Sequence, residues 1–113
     1  MESVNRAALI VKPRQPFVDW VNSTPGEDKY TLQDLTRDNL TFLIPEYNSQ
    51  EETLKYVKKI FHQIFEWQLF GWYTDENVWP KNRNWKMFLD WFEIEMNSEV
   101  FDLVGSSIVK ESL

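Results

Sequence analysis

Rings and acids lie side by side at Trp72-Tyr73-Thr74-Asp75-Glu76, with Trp79-Pro80 close behind. That combination suits a basic side chain, which a ring face attracts by cation–π interaction and a carboxylate by charge-assisted hydrogen bonding. Loops on a rigid scaffold are where such groups gather. The competing reading is a loop that plugs the core, with its acids capping a turn, because a buried Trp is mostly structural. Glu46, following Pro45 at the end of an apolar run, is a second candidate binding residue. Functional groups often stand at strand ends, although Glu46 equally suits capping the next turn.

Glu93, Glu95 and Asp102 alternate with apolar residues and would share the outward face of the last strands. Three carboxylates there could hold Ca²⁺ or Mg²⁺, which take oxygen ligands. The alternative is a solvated sheet face, with Arg6 or Lys12 opposite the acids. His62 could serve as a base or a ligand, but no Ser or Cys nucleophile is visibly paired with it, so a half-exposed helical histidine is the better reading.

Totals narrow the classes. The chain has 113 residues, 42% of them hydrophobic and 27% charged, which fits one soluble globular domain. The net charge of −6 disfavours direct nucleic-acid binding and anionic membranes, and leaves basic proteins as the electrostatically suited partners. With no cysteine and one histidine, neither disulfides nor a structural zinc site can be built within one chain. No cofactor motif is present. The apolar run Ala7–Val11 is too short for a signal-peptide core, so the cytoplasm is the expected compartment.

These candidates need elements to hold them. Ala7–Val11, apolar on both faces, predicts a central strand. Pro16 suits the first turn of a short helix carrying Phe17, Trp20 and Val21, and Thr31 with Asp34 predicts an N-cap for another helix reaching about Asp38. Leu40–Ile44 reads as a strand ended by Pro45. Ser49 and Glu52 form a capping box for a long helix over about 50–69, with Leu54, Val57, Phe61 and Ile64 as its apolar stripe, widened by Ile60 and Trp67. Gly71 suits its C-terminal cap. The segment 73–84 reads as a loop with a single turn opened by Asp75, and Asn82 or Asn84 caps a helix over Trp85–Phe92. Five of the six tryptophans fall between Trp67 and Trp91, so this stretch is read as the core seam.

From Phe92 the period becomes two, and it slips phase past Asn97-Ser98. A hairpin turn there, pairing Ile94 with Phe101 and Phe92 with Leu103, removes the conflict. A bulge in one long strand does the same, and the hairpin is slightly favoured. Residues 105–113 read as a loosely held tail after a single domain over 1–104.

Taken together, Asn5–Pro13, Pro16–Trp20, Leu43-Ile44-Pro45-Glu46-Tyr47, Trp72–Glu76, Trp79-Pro80, Met87-Phe88, Trp91-Phe92 and Val100–Leu103 resemble a family of small, acidic bacterial proteins. The resemblance spans roughly Asn5 to Leu103 and implies a bacterial, single-domain cytoplasmic protein without implying an activity. The family pattern places a histidine near this chain's Asn97, which weakens a metal reading of the last strands here.

The expected architecture is α+β, a small mixed sheet of three to four strands with helices mainly on one face. The leading functional expectation is a non-enzymatic interaction module in which Trp72, Asp75, Glu76 and Trp79, with Glu46, meet a basic protein. Two alternatives are a small hydrolase or metal-assisted enzyme using clustered carboxylates, and an acidic inhibitor or nucleic-acid mimic that blocks a basic protein.

Overall fold

The structure is a computed structural model that describes Met1–Leu113. In chain order it contains β1 (Glu2–Ser3), β2 (Ala7–Pro13), α1 (Gln15–Ser23), α2 (Leu32–Leu35), β3 (Leu40–Ile44), α3 (Gln50–Trp72), a 3-10 turn (Glu76–Val78), α4 (Trp85–Trp91), β4 (Phe92–Asn97) and β5 (Phe101–Asp102). The fold is α+β, as expected. Its sheets are antiparallel throughout rather than mixed: a three-stranded sheet in the order β3-β2-β4 and a two-stranded ladder of β1 with β5.

β2 is central because both its edges are paired, by β3 and β4, and one of its faces is buried under the helices. Leu9 and Val11 are fully buried, and their cross-strand partners Phe42 and Leu40 on β3, and Met96 and Ile94 on β4, share the same face. Side chains alternate along a strand, so Thr41, Leu43, Glu93 and Glu95 occupy the opposite, open face. The helices therefore pack on one side only.

The expected hairpin at Asn97-Ser98 does not form. Ile94 pairs with Val11, and Phe101 pairs with Ser3. β4 and β5 instead behave as one interrupted strand running beside β2 and β1. Between the rungs Ser3↔Phe101 and Ala8↔Asn97, one side carries Val4 to Ala7 and the other only Ser98 to Val100. The one-residue surplus is a bulge, bridged by the Val4 N–H donating to the Val100 carbonyl at 2.8 Å.

α3 forms as its start signal predicts: Ser49 Oγ accepts from the Glu52 N–H at 3.2 Å. The reciprocal bond is displaced by one residue, because the Glu52 carboxylate takes the Asn48 N–H instead of that of Ser49. The helix runs three residues further than expected and passes through Gly71. Tyr73, in extended backbone, closes it by donating to the Leu69 carbonyl. The buried stripe is Thr53, Val57, Phe61, Ile64, Phe65, Gln68 and Leu69, so Leu54 and Trp67 fall outside it. α2, by contrast, is shorter than expected, ending at Leu35, although its Thr31–Asp34 capping box is complete in both directions. Asn84, not Asn82, caps α4, with its Oδ1 accepting from the Met87 N–H, while Asn82 takes the left-handed φ of 55° in the preceding turn.

The centre of the core is phenylalanine rather than tryptophan. Phe17, Phe65, Phe88 and Phe92 are fully buried, and Phe92 lies 4.9 Å from Phe17 and 5.4 Å from both Phe65 and Phe88, centroid to centroid. The tryptophans surround this cluster. An indole N–H needs an acceptor when water is withdrawn. Only Trp20 and Trp79 are buried, and each finds a backbone carbonyl.

Candidate functional site

The expected site is the connection between α3 and α4. Trp79 is 7% exposed, and its indole donates to the Tyr73 carbonyl at 2.7 Å. Burying an indole removes about 200 Å² from water, an upper bound of roughly 5 kcal/mol. Trp79 is thus a structural plug. Arg83 lies above it, its guanidinium carbon 5.8 Å from the Trp79 ring and 6.0 Å from the Phe65 ring. The same guanidinium donates to the Pro80 carbonyl at 2.8 Å and to Glu66 Oε1 at 3.2 Å, which straps the loop onto α3. A third anchor comes from Trp20 of α1, whose indole donates to the Val78 carbonyl.

Asp75 is exposed and engaged locally: its Oδ1 accepts from the Asn77 N–H at 3.0 Å and caps the 3-10 turn. Glu76 is exposed within that turn, and neither acid joins an ion pair. Trp72 ends α3 with its ring edge against Tyr30, 5.0 Å between centroids, and remains 39% exposed. The connection therefore divides into a buried anchor, Trp79, and three exposed side chains, Trp72, Asp75 and Glu76.

Glu46 does not join these side chains. It precedes α3, whereas Trp72 ends it, and a 23-residue helix is about 34 Å long. Carboxylate pairing of Glu46 with Asp75 or Glu76 for hydrolysis thus has no geometric basis. Glu46 is exposed and stands next to Tyr47, which lines a half-open cavity of about 460 Å³ with Asn48, Gln50, Asn97 and Ser98.

Glu93 and Glu95 lie on the open face of β4, but Asp102 belongs to the β1–β5 ladder, where its Oδ1 accepts from the Val104 N–H. Glu95 pairs with Lys12 at 3.0 Å, and Lys12 stands directly across from Glu93. No group of three or more His, Asp or Glu side chains is arranged to hold a metal ion. The Lys12 ammonium is held above its ordinary value, first by its hydrogen bond to Glu95 and then by the charge of that carboxylate. His62 is exposed, with its ring against Phe61 at 4.0 Å.

What the residue pattern missed is an apolar surface along α3. Trp67 and Phe70 stack at 6.0 Å and stay 44% and 48% exposed. On the β3 side of Trp67, the ring borders a cavity of about 360 Å³ with Phe42, Tyr56 and Ile60. The clue lay in the breadth of the stripe. Ile60 and Trp67 sit about 100° round the helix from Phe61 and Gln68, beyond the arc a single sheet can cover.

No helix is long and apolar enough to cross a membrane. Comparison of the chain with protein-family models, with curated proteins and with solved structures gives no match.

Proposed function

We propose that this chain is a cytoplasmic, non-enzymatic interaction module that receives a basic segment of another protein at the C-terminal end of α3. The carrying observation is the sequence of exposures there. Phe70 and Trp72 are half-exposed rings, and they are followed at once by Asp75 and Glu76, two solvent-facing carboxylates without a cationic partner. A Lys or Arg side chain would lay its stem and charge on a ring and place its head against an acid. The rigid mounting from Trp20, Trp79 and Arg83 keeps this face in place without an ordering cost on binding.

The test is a fluorescence titration with a short Arg- and Leu-containing peptide against its Glu-and-Leu counterpart. Binding of the basic peptide alone, weakened about tenfold by Asp75→Asn with Glu76→Gln and by added salt, supports the reading. Asparagine keeps the turn capped, so the double variant isolates charge. Equal binding of both peptides, or of wild type and double variant, overturns it.

A further inference from the structure

The two edges of the three-stranded sheet are unlike. β4 carries Glu93 and Glu95, with Glu95 paired to Lys12, and charged side chains of this kind discourage strand addition. β3, Leu40-Thr41-Phe42-Leu43-Ile44, has no charge, and no strand pairs with its outer side. Beside it lies the 360 Å³ opening lined by Phe42, Ile44, Tyr56, Ile60, Ile64 and Trp67. Tyr56, Ile60 and Trp67 of α3 thus flank the open edge of β3 on the helix side, and one further strand, about 4.8 Å from β3, would lie beside them.

We infer that a second copy of this chain fills that place, with β3 pairing antiparallel with β3 across a two-fold axis perpendicular to the sheet. The strand fits itself. Centred on Phe42, the pairing sets Leu40 of one copy opposite Ile44 of the other, and Thr41 opposite Leu43, so no charge is buried and none is repelled. Because side chains alternate, Leu40 and Phe42 of the incoming strand turn toward the helix side and press their exposed parts into the opening beside Tyr56, Ile60 and Trp67, while Ile44 stays in its own core. The two-fold repeats this insertion in both directions, as an isologous interface requires. An uncharged strand offers nothing to select a basic or an acidic partner, which favours self-pairing over a charged ligand here.

The available area is sufficient but modest. The exposed parts of Leu40, Phe42, Tyr56, Ile60 and Trp67, with the flank of Leu43 on the open face, amount to at most on the order of 500 Å² per copy. Two copies then bury at most about 1,000 Å², near the lower bound for a specific interface. The dimer therefore dissociates on dilution. With −6 on each copy, added salt strengthens it, opposite to the salt response of a basic peptide at the end of α3. Leu113 reaches the rim of the opening but is itself fully exposed, so the C-terminal segment leaves the seat unfilled.

This inference does not depend on the proposed peptide binding, which is read separately by titration. Sedimentation velocity from about 1 to about 200 μM should show the mass rising from 13.6 kDa toward twice that value. Leu43→Lys and Trp67→Glu, both at exposed positions, should remain monomeric at every concentration with unchanged far-ultraviolet circular dichroism. Amide exchange at residues 40–44 should slow with concentration in wild type and not in Leu43→Lys. A wild type that stays monomeric overturns the inference. So does a dimer that survives both substitutions, because it uses another face. Protection, in the dilute monomer, of those amides of residues 40–44 that point away from β2 also overturns it, since that would mean the C-terminal segment covers the strand.

Discussion

The indole N–H of Trp20 donates to the Val78 carbonyl at 3.0 Å, joining α1 to a turn 58 residues later in the chain. The loop that presents Asp75 and Glu76 is thereby held by a helix from the first quarter of the sequence. Trp20→Phe keeps most of the apolar contact and deletes the donor. It should cost about 1–2 kcal/mol in urea unfolding, the range for leaving a partly buried acceptor unpaired. Trp79→Phe, which removes the bond to Tyr73, should cost a similar amount. Because both bonds pin one loop, the double variant should lose less than the sum. Strict additivity would mean that the two anchors act independently.

Phe61 and Lys58 lie one turn apart on α3, and only Phe61 is buried. Phe61→Ala opens a cavity beside Trp85 and Phe88 and should cost about 3–5 kcal/mol, while Lys58→Ala should cost less than about 0.5. Comparable urea midpoints for the two variants would contradict the orientation of the helix.

Arg83 acts through packing as much as charge. Its stem and guanidinium cover Trp79 and Phe65, and its Nε is buried without a partner. Arg83→Met should be milder than Arg83→Ala, which should cost about 1–3 kcal/mol. Glu66→Gln should cost less than about 1 kcal/mol, because Glu66 is half exposed to solvent. A larger loss from Glu66→Gln than from Arg83→Ala would show that the ion pair, not the cover, holds the loop.

Stability should fall at both ends of the pH scale for separate reasons. Asp34 is held below its ordinary 3.8, first by the hydrogen bond from the Thr31 backbone, then by the Thr31 side chain, with Arg37 adding attraction. A depressed carboxyl contributes above its ordinary value and loses that contribution as pH falls through its folded value. Lys12 is the reverse. Raised above 10.5 by Glu95, it contributes below that pH and loses the contribution as pH rises through its folded value. Asp34→Asn should flatten only the acid limb of the urea midpoint, and Glu95→Gln only the alkaline limb. A crossed result would sink both assignments.

The residue pattern disclosed whatever is settled locally. Ser49, Thr31 and Asn84 each cap the helix they precede, and Ala7–Val11 is central because nothing polar interrupts either face. It left open what is settled at a distance. A hairpin and a bulge satisfy the phase slip after Asn97 equally well, and the choice fell to pairing with Glu2-Ser3, two residues too few to read as a strand. The expected core seam, Trp67 to Phe92, holds only half of the centre: Phe88 and Phe92 lie in it, Phe17 and Phe65 outside it, and its tryptophans surround the cluster. Indoles require carbonyl acceptors, which appear only once the chain is folded, whereas Phe65, Phe88 and Phe92 require none. For the same reason Trp79 could not be told from Trp72, although one is an anchor and the other half exposed.

The one-residue offset between the two ladders also separates the molecule mechanically. β1 and β5 are joined by two rungs beyond the bulge, and Phe101 keeps half its surface in water, so little apolar burial resists their parting. The ribbon can unzip from its free end and stop at the bulge, leaving β2 clamped between its neighbours. Amides of residues 2–4 and 101–102 should then exchange nearly as fast as those of an unstructured peptide, while Leu9 and Val11 open only when the whole domain does.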